Sequence, residues 1–194
     1  MDKNLLINKA IEDNIRVKKD ILENNDTPVL IDKIAKEIIH ALENDKKILL
    51  CGNGGSFADA QHMSAELLGK FYLDREPIFA EVLSTNLSYL TAVANDYSYE
   101  EIFSREVRAK GREGDILIGI STSGNSKNVI KALEAANKLK MITVGLTGKD
   151  GGRMEDFCKY LVRVPSNDTP RIQEAHILIA HIICEIVEKK IFRS

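Results

Sequence analysis

The stretch DILIGISTSGNSKNVIKAL, residues 115–133, decides the fold of this chain. It opens with an apolar run, Ile116 to Ile120, of the composition typical of a buried strand. It then passes through the hydroxyl and amide residues 121–126 into an amphipathic helix. A turn from strand to helix presents free backbone N–H groups and the positive end of the helix dipole. The stretch therefore predicts an anion site, most often one for phosphate. The alternative is that Ser126 is only an N-cap in a polar loop.

A second strand, loop and helix of this kind lie upstream. The apolar strand KKILLC at 46–51 is followed by the loop GNGGS at 52–56 and by a helix. Ser56 and Asp59 have the spacing of a capping box at the start of that helix. The loop lacks the Lys-Ser/Thr of a nucleotide phosphate loop, and Phe57 stands where a dinucleotide fingerprint requires glycine. The loop therefore favours a small polar ligand over a nucleotide.

Strands and helices alternate along the remaining chain. The apolar runs predict five strands, at about 46–51, 78–83, 115–120, 141–146 and 160–164. This alternation indicates an α/β fold in which a five-stranded parallel sheet has helices on both faces, a Rossmann-like three-layer sandwich. Ligands in such sheets bind at the carboxyl ends of the strands, so both polar loops are expected at one edge.

Two further helices, at about 2–24 and 29–44, precede the first strand. No linker or repeat divides the chain, so residues 1–194 are expected to form one domain. The N-terminal helices, within residues 1–45, are more than one sheet layer needs. We expect their apolar faces to contact another subunit, and packing on their own domain is the alternative.

Composition narrows the possible functions. The formal net charge of -2 provides no basic surface for nucleic acid or an anionic membrane, so neither is an expected partner. No apolar run approaches about 18 residues and no cleavable signal pattern is present. The three cysteines, Cys51, Cys158 and Cys184, form no CxxC pair and indicate reduced thiols in a cytoplasmic protein.

Polar residues interrupt two apolar helices. His62 and Glu66 are four residues apart and share a face, and His181 and Gln173 lie on broadly one side of the last helix. Two imidazoles, a carboxylate and an amide oxygen are suitable ligands for Zn²⁺. A carboxylate and an imidazole also suit proton transfer next to a carbonyl. The alternative is a set of buried residues that only satisfy hydrogen bonds, and sequence spacing cannot show whether the helices meet.

Several segments resemble the SIS (sugar isomerase) domain and, within it, the sedoheptulose 7-phosphate isomerase or phosphoheptose isomerase (GmhA) family. The hydroxyl loop alone is typical of any SIS domain, whereas QHxxxE combined with RIQExHxxxxH is far more specific. The resemblance covers essentially the whole chain. Its segments are CGNGGSFADAQHMSAEL (51–67), VANDY (93–97), GREGDILIGISTSGNSKNVIKAL (111–133), VGLTGKDGG (144–152) and RIQEAHILIAHIICEIVE (171–188).

The resemblance implies an isomerase that converts sedoheptulose 7-phosphate to D-glycero-D-manno-heptose 7-phosphate, the first step toward ADP/GDP-heptose for lipopolysaccharide core or capsule. It implies one zinc ion per subunit and a homotetramer with sites between subunits. Glu66 would be the base and His181 the acid of an enediol mechanism. The implied metal ligands are His62, Glu66, Gln173 and His181. The implied substrate contacts are Asn53, Gly54, Gly55, Ser56, Glu66, Asn95, Asp96, Ser121, Thr122, Ser123, Ser126 and Gln173.

One departure from the family pattern is Lys70, which stands where some relatives have arginine; a lysine does not replace an arginine fork. The competing function is a non-catalytic SIS-domain binding protein, such as a DnaA initiator-associating protein. In that relative the positions of Glu66 and His181 hold residues unsuited to proton transfer, so the intact pair favours the enzyme. A phosphosugar-sensing regulator would carry a helix-turn-helix extension, and none is evident.

Overall fold

Five parallel strands form the centre of this computed structural model, which describes residues 3–24 and 26–193. The predicted helix start at residue 2 and part of the predicted break at Asn25 lie outside the described residues. The strands are β1 Ile48–Gly52, β2 Ala80–Val82, β3 Ile116–Ile120, β4 Ile142–Thr147 and β5 Tyr160–Arg163. The α-helices are α1 Lys3–Glu23, α2 Asp26–Glu43, α3 Gly55–Leu68, α4 Leu87–Asp96, α5 Ile102–Lys110, α6 Lys127–Lys138 and α7 Thr169–Phe192.

The strand order is β2-β1-β3-β4-β5, and every pairing is parallel. Leu50 of β1 lies opposite Ile118 of β3, which in turn lies opposite Val144 of β4. The connections after β1 and after β3 run toward opposite edges of the sheet. The crevice where such connections diverge, at the carboxyl ends of β1 and β3, is the usual ligand position in a doubly wound sheet.

Alternate strand residues point to opposite faces, and each face is covered by helices. Ile48 and Leu50 join a core with α2, α3 and α7. Leu49 and Cys51 join a second core with α4, α5 and α6. The predicted three-layer α/β sandwich is confirmed.

The start of α3 differs from the sequence prediction, because backbone hydrogen bonds rather than a side chain close the turn before it. Helix α3 begins at Gly55, so Ser56 lies inside its first turn and no side chain caps the helix. Gly54 has φ 55, and the Ser56 N–H donates to the Asn53 carbonyl over 3.0 Å. The capping box predicted for Ser56 and Asp59 is therefore wrong, because the turn before the helix is closed by backbone hydrogen bonds.

The two N-terminal helices differ in what they cover. Helix α2 buries its apolar residues, such as Ile34 and Ile38, against the sheet and α7. Helix α1 buries only Val17 and Ile21 among its described residues. It leaves a stripe exposed, formed by Leu5, Leu6, Ile7, Ile11, Ile15 and Leu22. Among the described residues, most of the exposed apolar surface of the two helices therefore lies on α1, and the oligomer stays a prediction. In the described part of the chain, no helix has the length and apolar character needed to cross a bilayer.

One of the two histidines of α7 ties this helix to the sheet. His176 is fully buried, and its Nε2 lies 3.1 Å from the carbonyl oxygen of Thr147 at the end of β4. Burial lowers the pKa of His176 from 6.5 to about 4. The neutral imidazole is therefore a structural tether at neutral pH.

This tether predicts a pH dependence of stability. Between about pH 6.5 and pH 4 the unfolded chain binds a proton that the folded chain excludes, so stability is lost as pH falls through this window. At about 1.36 kcal/mol per pKa unit, His176 alone should lower the free energy of unfolding by about 3 kcal/mol near pH 4. Urea unfolding of the His176→Asn variant, which keeps a donor for Thr147, should show a flatter pH profile than wild type. His40→Asn, at an exposed position of α2, is the control, and an equally steep loss in His176→Asn contradicts the prediction.

Candidate functional site

The two polar loops lie side by side where the sheet order predicts a ligand. The glycine loop follows β1 and the hydroxyl loop follows β3, and these strands are neighbours. Asn53 donates to Asn128 Oδ1 over 2.9 Å, and Asn128 donates back to Asn53 Oδ1 over 2.8 Å. The Tyr99 hydroxyl also donates to Asn53 Oδ1, over 3.0 Å. The loops are thus joined by a reciprocal amide pair.

Asn128 and Tyr99 were missed by the sequence reasoning. Asn128 is 3% exposed in the first turn of α6, so a polar residue in an otherwise buried position was the available signal. Tyr99 had no such signal, because it is exposed and belongs to a short 3₁₀ helix, Tyr99–Glu101. Both residues place Asn53, which the resemblance identified as a substrate contact.

The hydroxyl loop gathers its serines at the start of α6. The oxygen Oγ of Ser121 lies 2.9 Å from that of Ser126 and 3.5 Å from that of Ser123. Ser126 occupies the N-cap position but makes no side-chain cap hydrogen bond. Its hydroxyl is therefore not used up as a cap. The Val129 N–H donates to Asn128 Oδ1 over 3.0 Å, which leaves the N–H groups of Lys127 and Asn128 as the candidates for an anion.

Helices α3 and α7 bring the predicted polar residues together within one chain. His62 Nε2 lies 3.0 Å from Glu66 Oε1 and 3.1 Å from His181 Nε2. The two imidazoles are edge to face, with ring centroids 4.9 Å apart. One possible ligand atom from each of these three residues lies within 4.8 Å of the others. Sequence spacing could not show this contact.

The donor set suits a metal ion. Around a tetrahedral zinc ion with bonds of about 2.0–2.1 Å, neighbouring ligand atoms lie about 3.3 Å apart. The observed separations of 3.0 and 3.1 Å are close to that value. His62, Glu66 and His181, named here the His–Glu–His group, are therefore arranged so that they could hold a cation.

Gln173 contacts the other end of α3. A Cβ added to Gly55 would overlap Gln173 Nε2 and lie 2.7 Å from Oε1. Gln173 precedes His181 by eight residues, about 12 Å along the helix axis. Its amide therefore lies beside the glycine loop, and its ligation of the same ion as the His–Glu–His group stays a prediction.

The remaining predicted contacts lie near the loops or are exposed. Asn95 donates to Asp96 Oδ1 over 2.9 Å at the end of α4, just before the turn that carries Tyr99. Thr122 accepts a hydrogen bond at its carbonyl from the Gly148 N–H over 2.9 Å. Lys70 is exposed after the end of α3. The roles of these residues toward a ligand stay predictions.

Asp59 is a partly buried carboxylate one turn before His62. Burial raises the pKa of its carboxyl to about 6, and the nearby His62 opposes this shift. Its Oδ2 has no hydrogen-bond partner among the described residues.

The three cysteines are poorly suited to nucleophilic chemistry. Burial raises the pKa of Cys158 and Cys184 to about 12, and that of Cys51 further, so these thiols are poor nucleophiles.

Known proteins are similar to this chain in sequence and in fold. A family model described as SIS domain matches residues 11–148. The phosphoheptose isomerase of Aneurinibacillus thermoaerophilus is 52% identical over 188 residues, which cover 97% of this chain and 95% of that protein. That of Clostridium acetobutylicum is 50% identical over 186 residues, 96% and 95% of the two chains. The chain belongs to the phosphoheptose isomerase family of SIS domains.

A solved structure of this phosphoheptose isomerase family has the same fold. The phosphoheptose isomerase GmhA from Neisseria gonorrhoeae superposes with a TM-score of 0.90 at 42% identity, over 96% of this chain and 98% of that chain. The agreement extends over nearly the full length of both proteins, so the arrangement of α3, α7 and the two loops belongs to a fold shared with this family.

Metal binding by the His–Glu–His group can be measured directly, with Zn²⁺ as the probe. Metal-free protein titrated against a chromophoric chelator should bind about one ion per chain through His62, Glu66 and His181. His62→Ala removes a ligand, so the affinity should fall by at least about 100-fold, more than the loss of an outer-shell partner costs. His40→Ala, an exposed histidine of α2, should bind like wild type. Equal affinity in His62→Ala would rule out this metal site.

Proposed function

We propose that this protein is an aldose–ketose isomerase that interconverts sedoheptulose 7-phosphate and D-glycero-D-manno-heptose 7-phosphate. The observation that supports this function most strongly is the cluster of Glu66, His62 and His181. Glu66 and His62 lie on α3, the helix that begins at the glycine loop. Relatives named phosphoheptose isomerase, at 49–52% identity over 96–97% of this chain, support the substrate. Nothing in this geometry favours the non-catalytic alternative, which requires neither a base nor an acid.

The reaction moves a proton between C1 and C2 of the sugar through an enediol. Glu66 removes the carbon-bound proton of the ketose and returns it to the neighbouring carbon. His181 gives a proton to the carbonyl oxygen and takes one from the neighbouring hydroxyl, so the protons balance over the cycle. A zinc ion held by His62, Glu66, Gln173 and His181, one per subunit, would stabilise negative charge on the sugar oxygens.

The hydroxyl loop holds the phosphate at the far end of the sugar. Ser121, Ser123 and Ser126 present hydroxyls at the start of α6, and Thr122 lies between them. Binding energy from this remote group orients the reacting carbons at Glu66 and His181. The glycine loop, with Asn53, Gly54, Gly55 and Ser56, and the pair Asn95 and Asp96 orient the sugar hydroxyls, as does Gln173.

The proposed protein is a cytoplasmic homotetramer. Residues 1–45 contribute to its interfaces, and its sites lie between subunits. The exposed apolar stripe of α1 supports an interface between copies. Three free cysteines support a reducing compartment. The product would enter ADP/GDP-heptose synthesis for lipopolysaccharide core or capsule.

Removal of the proposed base or acid tests the mechanism. Glu66→Gln and His181→Gln should each lower the kcat for sedoheptulose 7-phosphate by at least about 100-fold, since neither replacement transfers protons at neutral pH. Glu185→Gln on α7 and His40→Gln on α2 are matched controls that should keep wild-type turnover. Near-normal turnover in Glu66→Gln or His181→Gln would refute the role given to that residue.

Loss of a hydroxyl in the loop should have a different kinetic signature. Ser121→Ala and Ser126→Ala each remove a hydrogen bond to a charged phosphate, worth about 1.5–3 kcal/mol. The KM for the sugar phosphate should rise by about 10-fold or more, while kcat changes less. Ser88→Ala, at an exposed position of α4, is the control. A fall in kcat at unchanged KM would assign these serines to the chemical step instead.

A further inference from the structure

A buried ion pair joins the two helices of the His–Glu–His group. Arg75, in the segment between α3 and β2, donates from Nε to Glu188 Oε1 on α7 over 2.9 Å. The side chains are 3% and 1% exposed. A buried ion pair needs further hydrogen bonds to offset its lost hydration. The partners of those hydrogen bonds show which parts of the backbone the pair fixes.

Arg75 also donates to the end of α3, besides a bond from Nη1 to the Glu76 carbonyl over 3.0 Å. Its Nη2 donates to the Glu66 carbonyl and its Nη1 to the Leu67 carbonyl, each over 2.9 Å. These carbonyls belong to the last turn of the helix, where a guanidinium is favourable. The ion pair therefore binds the backbone of Glu66 itself and fixes the end of α3 to α7.

Glu188 uses its second oxygen on the segment that leaves α3. Its Oε2 accepts the N–H groups of Tyr72 over 3.0 Å and Leu73 over 3.2 Å. This bond pair fixes the backbone next to Phe71. The Phe71 ring is stacked on the His181 imidazole, with centroids 5.8 Å apart and 30° between the planes.

We propose that Phe71 is a positioning residue for His181, and that the Arg75–Glu188 pair holds it in place. His62 meets the edge of the His181 ring, and Phe71 covers one face of it. A ring held on two sides keeps one orientation, which is what proton transfer and metal ligation both require. The proposal rests on the proposed function for the role of His181 in turnover, but not for the contact itself.

The decisive comparison is Phe71→Leu against Phe71→Tyr. Leucine keeps apolar bulk and removes the flat ring, whereas tyrosine keeps the ring. Phe71→Leu should lower kcat on sedoheptulose 7-phosphate by about 10-fold with KM within about 2-fold, and weaken Zn²⁺ binding by the metal-free protein by about 10-fold. Phe71→Tyr should keep the wild-type kcat and Zn²⁺ affinity. Phe79→Leu, at an exposed aromatic residue between α3 and β2 (54% exposed), is the control and should resemble wild type.

Arg75→Lys tests the ion pair, because it keeps the charge and loses the fork. It should lower kcat in the same manner, and Phe71→Leu combined with Arg75→Lys should lose less than the product of the single effects, because both act through one contact. A lower melting temperature with unchanged kcat and Zn²⁺ affinity would limit the pair to a structural role. If Arg75→Lys does not fold, the Phe71 variants decide the proposal.

Failure of this proposal differs from failure of the proposed function. Wild-type kcat and Zn²⁺ affinity in Phe71→Leu, with His181→Gln inactive, would overturn the positioning role and leave the isomerase intact. An active His181→Gln would instead refute the acid role of His181, and an absence of turnover in the wild type would refute the proposed function. In both cases Zn²⁺ affinity would still report on Phe71.

Discussion

The packing of α3 against α7 is the contact on which the candidate site depends. Ala60, Met63 and Leu67 of α3 share one apolar core with Ala175, Ile179 and Ile183 of α7. Burial of this surface stabilises the helix pair. The positions of the polar residues at its rim depend on this packing, because His62, Glu66 and His181 come together only if the two helices are in contact. The Arg75–Glu188 pair adds a polar tie at the end of the same contact.

The sheet order provides the second constraint. With β1 beside β3, two loops that are about 70 residues apart become neighbours, and Asn53 and Asn128 join them. Helix α3 begins at one of these loops and carries Glu66. The proposed anion site and the proposed base thereby lie on different elements of one fold, an arrangement in which a remote phosphate can orient a reacting carbon.

Helix α7 shows why sequence alone separates these roles poorly. His176, His181 and Glu188 all interrupt one apolar run. His176 bonds the end of β4, His181 faces His62, and Glu188 pairs with Arg75. The three differ only in the element that packs beside each of them. For Glu188 that partner is 113 residues away in the chain, so no local pattern distinguishes it.

The sequence by itself determined the strand and helix pattern, the parallel three-layer sheet and the polar loops, because apolar periodicity and turn residues act locally. It also identified His62, Glu66 and His181 as residues that packing did not explain. It misjudged the start of α3, where positive φ at Gly54 and backbone hydrogen bonds replace a side-chain cap. Only the tertiary structure decided that α3 and α7 meet, that Asn128 holds Asn53, and that Phe71 covers His181. Each of these contacts joins distant segments, and their geometry follows from the packing of whole helices on the sheet rather than from any neighbouring residue.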